Sequence, residues 1–151
     1  MKIKLITKNK SQICEEILRS LPGWFGIEDA IQEYVREVNN LPFYAVEQNN
    51  QIIGFAAIKQ HFKESAEIYV MAIKKEFHGQ GVGKKLIAHI RAELKESGTE
   101  FLSVKTLSPA RENKPYAQTR KFYESVGFKP LEELKELWGK ENPCLMMVMG
   151  V

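Results

Sequence analysis

The sequence predicts one mixed α/β domain, and three observations carry that prediction. Runs of alternating or continuous apolar residues interleave with stretches whose apolar residues recur at helical spacing. A glycine-rich turn, His78-Gly79-Gln80-Gly81-Val82-Gly83, joins an apolar strand-like run to a long amphipathic segment. The 151 residues are 44% hydrophobic and 27% charged, with no repeat period and no linker, which fits a single domain over 1–151.

Lys2 to Thr7 alternates polar residues with Ile3 and Leu5 and reads as a strand. Ser11 is placed to cap a helix with Ile13, Ile17, Leu18 and Leu21 on its apolar face, and Pro22-Gly23 stops it. From Glu28 to Val38 a second helix is expected, with Ile31, Tyr34, Val35 and Val38 at helical spacing and Glu28 and Asp29 where carboxylates favour the helix dipole. Phe43 to Glu47 and Gln51 to Ile58 flank Asn49-Asn50, a hairpin signal. Glu67 to Ile73 is apolar almost throughout, as in a strand covered on both faces. After the glycine turn, Val82, Leu86, Ile87, Ile90 and Leu94 form one helical stripe that Gly98 ends. Phe101 to Thr106 is a strand, Tyr116 to Val126 a helix stopped by Gly127, and strands begin at Phe128 and Cys144. The charged stretch Leu131 to Lys140 and the loop Ser108 to Pro115 are expected to be mobile.

Composition narrows the partners. Cys14 and Cys144 are far apart, with no Cys-x-x-Cys or Cys/His cluster near either. Buried thiols in a reducing cytosol are therefore expected, with no metal site. The first ten residues lack the apolar run of a signal peptide, and no segment approaches the roughly 18 apolar residues of a membrane span, so a cytoplasmic protein without membrane partners is expected. A net charge of +3 is too small to argue for nucleic acid.

Alternating glycines between a buried strand and a helix let consecutive N–H groups converge at the positive end of the helix dipole, where an anion such as a phosphate fits. A Walker-type loop would need glycine where His78 stands and Ser or Thr where Lys85 stands. A dinucleotide fingerprint would need glycine at Lys84 or Leu86. Both readings fail.

The residues that remain resemble the GNAT N-acetyltransferase superfamily. Its acyl-coenzyme-A motif reads Arg or Gln, two residues, Gly, one residue, Gly or Ala at a helix start; His78, Gly81 and Gly83 occupy those places, with His78 departing from the usual residue. A second segment, Tyr116 to Phe128, is similar to the family pattern of Asn, Ala, Tyr and Gly-Phe. Thr119 stands for the Ala, Tyr116 for the Asn, and Tyr123, Gly127 and Phe128 match. The resemblance covers nearly the whole chain and implies a central mixed, mostly antiparallel sheet flanked by helices.

The resemblance also implies a chemistry, transfer of acetyl from acetyl-CoA directly to a primary amine of a small molecule or peptide, without a metal. Met71, Ala72 and Ile73 would border the pantetheine arm, between their strand and Phe101 to Thr106. The pyrophosphate would meet His78, Gly79, Gln80, Gly81, Val82, Gly83 and Lys84, and Thr119, Phe122 and Tyr123 would line the coenzyme from the later helix. Among Lys84, Lys85, Lys114, Arg120 and Lys121 are candidates for the 3′-phosphate.

Such a transfer needs a neutral amine, a stabilised oxyanion and a proton for the leaving thiolate. Tyr123 matches the family's thiolate proton donor. Glu67 and His61 are candidates for the base, and a backbone N–H of the Glu67 to Ile73 strand, Met71 among them, for the oxyanion. Glu67 as a solvated strand-end residue is the competing reading. Trp24 and Phe25, in a glycine-flanked loop, and Glu28 and Trp138 are the acceptor-site candidates, with Asp29, Glu33, Glu132, Glu133 and Glu136 as an acidic rim; His89 reads as a surface residue. A non-catalytic acyl-CoA-binding module, in which Tyr123 only packs, is the alternative. A homodimer is compatible with the family.

Overall fold

The computed structural model describes Met1–Val151. β1 (Lys2–Ile6), α1 (Lys10–Arg19) and α2 (Glu28–Glu37) lead through a 3-10 turn (Val38–Asn40) to β2 (Phe43–Gln48), β3 (Gln51–Gln60) and β4 (Ser65–Ile73). A second 3-10 turn (Lys75–Phe77), α3 (Val82–Glu96), β5 (Phe101–Leu107), α4 (Lys114–Ser125), β6 (Lys129–Leu134) and β7 (Cys144–Gly150) complete the chain. The strands form a mostly antiparallel sheet of seven in the order β1-β2-β3-β4-β5-β7-β6. The order of helices and strands is the one the sequence predicts.

The fold consists of two compact units, one of Met1–Lys59 with Ile68–Ala92, the other of Gln60–Glu67 with Glu93–Val151. In the first, β1 and β3 pair antiparallel with β2, and the β2–β3 hairpin turns on Asn49 and Asn50 at φ 53° and 62°. Asparagine tolerates that left-handed backbone, and two such residues match the twist of the strands they join. Cys14, Ile17 and Leu18 of α1, with Leu21 just after it, are buried in one core with Phe43, Ala45, Phe55, Ala57, Val70 and Ala72, where Phe43 and Phe55 stack at 4.9 Å. The N-cap of α1 is Asn9 rather than Ser11. Ser11 lies inside the first turn, and its hydroxyl donates to the Val35 carbonyl at 2.7 Å, tying α1 to α2.

In the second unit β5 and β6 both pair antiparallel with β7, and a register shift falls between Pro130 and Glu132 on β6. Leu131 to Leu134, expected in a mobile stretch, are therefore strand residues; with Lys129 and Pro130 they form an exposed edge, where proline and charge discourage further pairing. Leu102, Val104, Leu107, Phe128, Cys144, Met147 and Met149 are buried. The C-terminal turn of α3 lies in this unit, where Gly98 at φ 91° lets the Gly98 and Thr99 N–H groups bond back to Lys95 and Leu94. No helix is long and apolar enough to cross a membrane.

Candidate functional site

The glycine turn belongs to the first unit. Between the end of β4 at Ile73 and the start of α3 at Val82, Gly79 and Gly81 take φ 74° and 81°. Glycine adopts that backbone freely, whereas an L side chain is strained in it. A Cβ at either position would meet no atom within 4 Å and would stand in the open space before the helix. The first bond of α3 runs from the Lys85 N–H to the Gly81 carbonyl at 3.1 Å, so the N–H groups of Val82, Gly83 and Lys84 lack helical partners. Unpaired N–H groups, the positive helix end and a surface free of side chains make a cradle for a phosphate-sized anion. The geometry therefore fits the pyrophosphate of a coenzyme A, with the exposed Lys84 adding a cation.

The His78 side chain, a candidate for the pyrophosphate, is anchored on one of its nitrogens. Its Nε2 donates to the Ile73 carbonyl at 2.6 Å, and Trp24 meets its ring edge-on with centroids 5.4 Å apart. Through Nε2 the imidazole thus braces the turn against the end of β4. Gln80 likewise reaches back, donating to the Glu76 carbonyl at 3.0 Å. Ala72 and Ile73 are buried and Met71 half-buried. Gly54 on β3 permits a close approach here, since a Cβ would collide with Ile73 Cδ1 and lie 3.1 Å from the Ala72 carbonyl oxygen.

Trp24 and Phe25 lie half-buried in the loop between α1 and α2, but point to different neighbours. While Trp24 packs on His78, Phe25 meets Tyr34 at 6.1 Å, Tyr34 meets Tyr69 at 5.3 Å, and Lys59 Nζ stands 5.6 Å from the centre of the Tyr69 ring. Glu28 is not a free anionic anchor. Arg19 holds both its oxygens at 2.7 and 2.9 Å and Gln32 adds a third bond, which lowers the carboxyl pKa to about 2.

In the second unit Asn113 caps α4 by accepting from the Tyr116 N–H at 3.0 Å, and Pro115 occupies its first turn. Tyr123 is buried, 5.5 Å from Phe122 and edge-on to Phe128 at 5.4 Å. Burial, with Tyr116 adding to it, pushes the Tyr123 hydroxyl well above the ordinary phenol value. Tyr116 is itself raised to about 12 by burial. Thr119 donates to the Pro115 carbonyl at 3.2 Å. One nitrogen of the Arg120 guanidinium donates to the Leu107 carbonyl at 2.7 Å. Trp138 is exposed between β6 and β7, and Glu133, expected in the acidic rim, accepts from the Ser108 hydroxyl at 2.5 Å.

Glu67 is buried, which overturns the solvated strand-end reading. Its Oε1 lies 2.7 Å from His61 Nε2 and its Oε2 3.0 Å from Lys105 Nζ. The two base candidates of the sequence are thus one cluster, completed by a lysine that sequence reasoning passed over. The signal was a lone cation in the otherwise uncharged strand Phe101–Leu107. Tyr34 and Tyr69 were also missed as partners of Phe25, because a tyrosine on an apolar face reads first as packing. His89, read as a surface residue, is half-buried and edge-on to Tyr44 at 5.8 Å.

The acetyltransferase (GNAT) domain pattern matches residues 39–130. A ribosomal protein bS18-alanine N-acetyltransferase of Haemophilus influenzae is 34% identical over 104 residues, 66% of this chain and 66% of that enzyme, so the chain matches about two thirds of the relative's length. The fold is similar to the ribosomal-protein-S18-alanine N-acetyltransferase of Escherichia coli, with TM-score 0.79 and 16% identity, covering 99% of this chain and 93% of that one. It is also similar to an aminoglycoside 6'-N-acetyltransferase complexed with coenzyme A, with TM-score 0.79 and 17% identity, covering 99% and 97%. With the domain pattern spanning β2 through α4 and a glycine cradle at the start of α3, the chain belongs to the GNAT acetyltransferase family.

Proposed function

We propose that the protein transfers acetyl from acetyl-CoA to a primary amine. The observation that carries this is the cradle at Gly79–Lys84, whose left-handed glycines and unpaired N–H groups suit a pyrophosphate, in a chain of the GNAT family. When bound, acetyl-CoA supplies the acetyl group as an activated thioester. The chain's own residues do the rest. Val82, Gly83 and Lys84 hold the pyrophosphate, and Met71, Ala72 and Ile73 border the pantetheine. Tyr123 gives a proton to the departing thiolate, a role supported by its match to the family pattern. Glu67 belongs to the group that handles the amine's proton.

Amine acceptors are supported by the relatives, one named for a ribosomal-protein alanine and another for an aminoglycoside. The row of Phe25, Tyr34 and Tyr69 is the aromatic surface we assign to the acceptor, in place of Glu28, which Arg19 occupies. Thermal unfolding with and without acetyl-CoA, followed by free-thiol release against a panel of amines, tests the proposal. A raised melting temperature and amine-dependent thiol release are expected. No shift at millimolar acetyl-CoA would reject coenzyme binding, and a shift without thiol release from any amine would reduce the protein to a binding module.

A further inference from the structure

The partners of Glu67 decide the state of a neighbouring imidazole. A carboxylate gripped by an ammonium acts only as an acceptor, so with Lys105 at 3.0 Å from Oε2 the hydrogen in the 2.7 Å contact on Oε1 belongs to His61. Nε2–H of His61 donates to Glu67, and a neutral ring protonated at Nε2 carries its basic lone pair on Nδ1. The main chain that carries the ring is held as well. The His61 and Phe62 N–H groups both donate to the Ser65 carbonyl, at 3.0 and 3.2 Å, closing the turn between β3 and β4. Glu67 is 6% exposed at its side chain and His61 38%, so the cluster runs from a buried carboxylate to a basic nitrogen on a solvent-reachable ring.

We propose that His61 receives the proton of the acceptor amine at Nδ1, with Glu67 as the residue that positions it and Lys105 as the countercharge that keeps Glu67 an acceptor. The inference rests on the acetyl-transfer reading. In the step, an N–H bond of the ammonium breaks, directly or across one water, and its electron pair stays on nitrogen for attack on the thioester carbonyl. The proton goes to Nδ1, the imidazolium so formed lies beside the Glu67 carboxylate, and the proton then leaves Nδ1 for solvent. Imidazole is the side chain most often used for this task, and a carboxylate on its far nitrogen sets tautomer and orientation together.

Two measurements on the full chain test this. Nitrogen-15 NMR of the histidine rings above neutral pH is expected to show His61 protonated at Nε2 and bare at Nδ1, and Glu67→Ala is expected to give a mixture of tautomers. With an amine that the wild type acetylates, His61→Ala is expected to lose about a hundredfold or more in kcat. Its stabilisation by acetyl-CoA should be kept, and added imidazole should restore part of the rate. A wild-type ring protonated at Nδ1, an unchanged rate in His61→Ala, or a loss that imidazole leaves untouched would each overturn the proposal alone. A wild type that releases no thiol with any amine would overturn the acetyl-transfer reading and this proposal with it.

Discussion

Tyr123 shows how little a residue type says without its surroundings. A tyrosine at helical spacing is core packing on most helices, and here the ring does pack, on Phe122 and Phe128. The same burial that makes it a core residue raises its hydroxyl pKa and makes it a weaker acid than an exposed tyrosine, so the donor role rests on its place in the family pattern and not on its titration. Tyr123→Phe keeps the ring and removes only the hydroxyl, so turnover should fall roughly tenfold or more while acetyl-CoA still raises the melting temperature. A variant with unaltered turnover would leave Tyr123 with packing alone. Glu28 makes the opposite point. Its place at the start of α2 suited an acceptor-facing carboxylate, but Arg19, nine positions earlier, reaches it with a bidentate guanidinium. No local pattern announces that pairing.

At the scale of elements, the turn between β4 and α3 and the β3–β4 approach both depend on glycine, for different reasons. Gly81 is left-handed in open space, so a side chain there strains the backbone by roughly 1–2 kcal/mol and also intrudes on the cradle. Gly54 has no such backbone constraint and is small because Ile73 and the Ala72 carbonyl lie against it. Gly81→Val should therefore lose the stabilisation by acetyl-CoA, whereas Gly54→Ala should cost about 1–3 kcal/mol of stability and keep that response. Melting curves of both variants with and without acetyl-CoA check the contrast, and an undiminished ligand response in Gly81→Val would make the turn merely structural. Sequence pattern was enough to place these elements because β3 and β4 are buried along runs of consecutive apolar residues and α3 carries one apolar stripe. It was not enough for Asn9, whose left-handed backbone caps α1 without any side-chain bond, nor for how far the strand begun at Phe128 runs into the charged stretch, since the exposed residues to Leu134 carry no apolar alternation.

For the molecule as a whole, the two thiols offer a test of how well each unit is closed. Cys14 lies in the core of the first unit and Cys144 in that of the second, both without exposure, and burial raises them to about 12 and 11. Thiolate is the reactive form, so at mildly alkaline pH neither should react with an alkylating reagent in the native protein, and both should react once denaturant unfolds it. Mass-resolved labelling assigns each site, and modification of either thiol before the unfolding transition would show that its unit opens locally. The net charge of +3 is divided between functions in the same way. Lys84 stands at the cradle and Lys105 serves Glu67, while Arg19 and Arg120 are held by Glu28 and the Leu107 carbonyl.

By itself the sequence determined the order of helices and strands, the turn that carries glycines, the burial of both cysteines and the resemblance to the GNAT superfamily. All of these follow from local periodicity or from residues within one short segment. The pairing of His61 with Glu67 and Lys105, the bond of His78 to the Ile73 carbonyl, the row from Phe25 to Tyr69 and the capture of Glu28 were decided only by the tertiary structure. Each joins groups from separate elements at a few ångströms, and burial and hydrogen bonding set their states only once the strands and helices have brought them together.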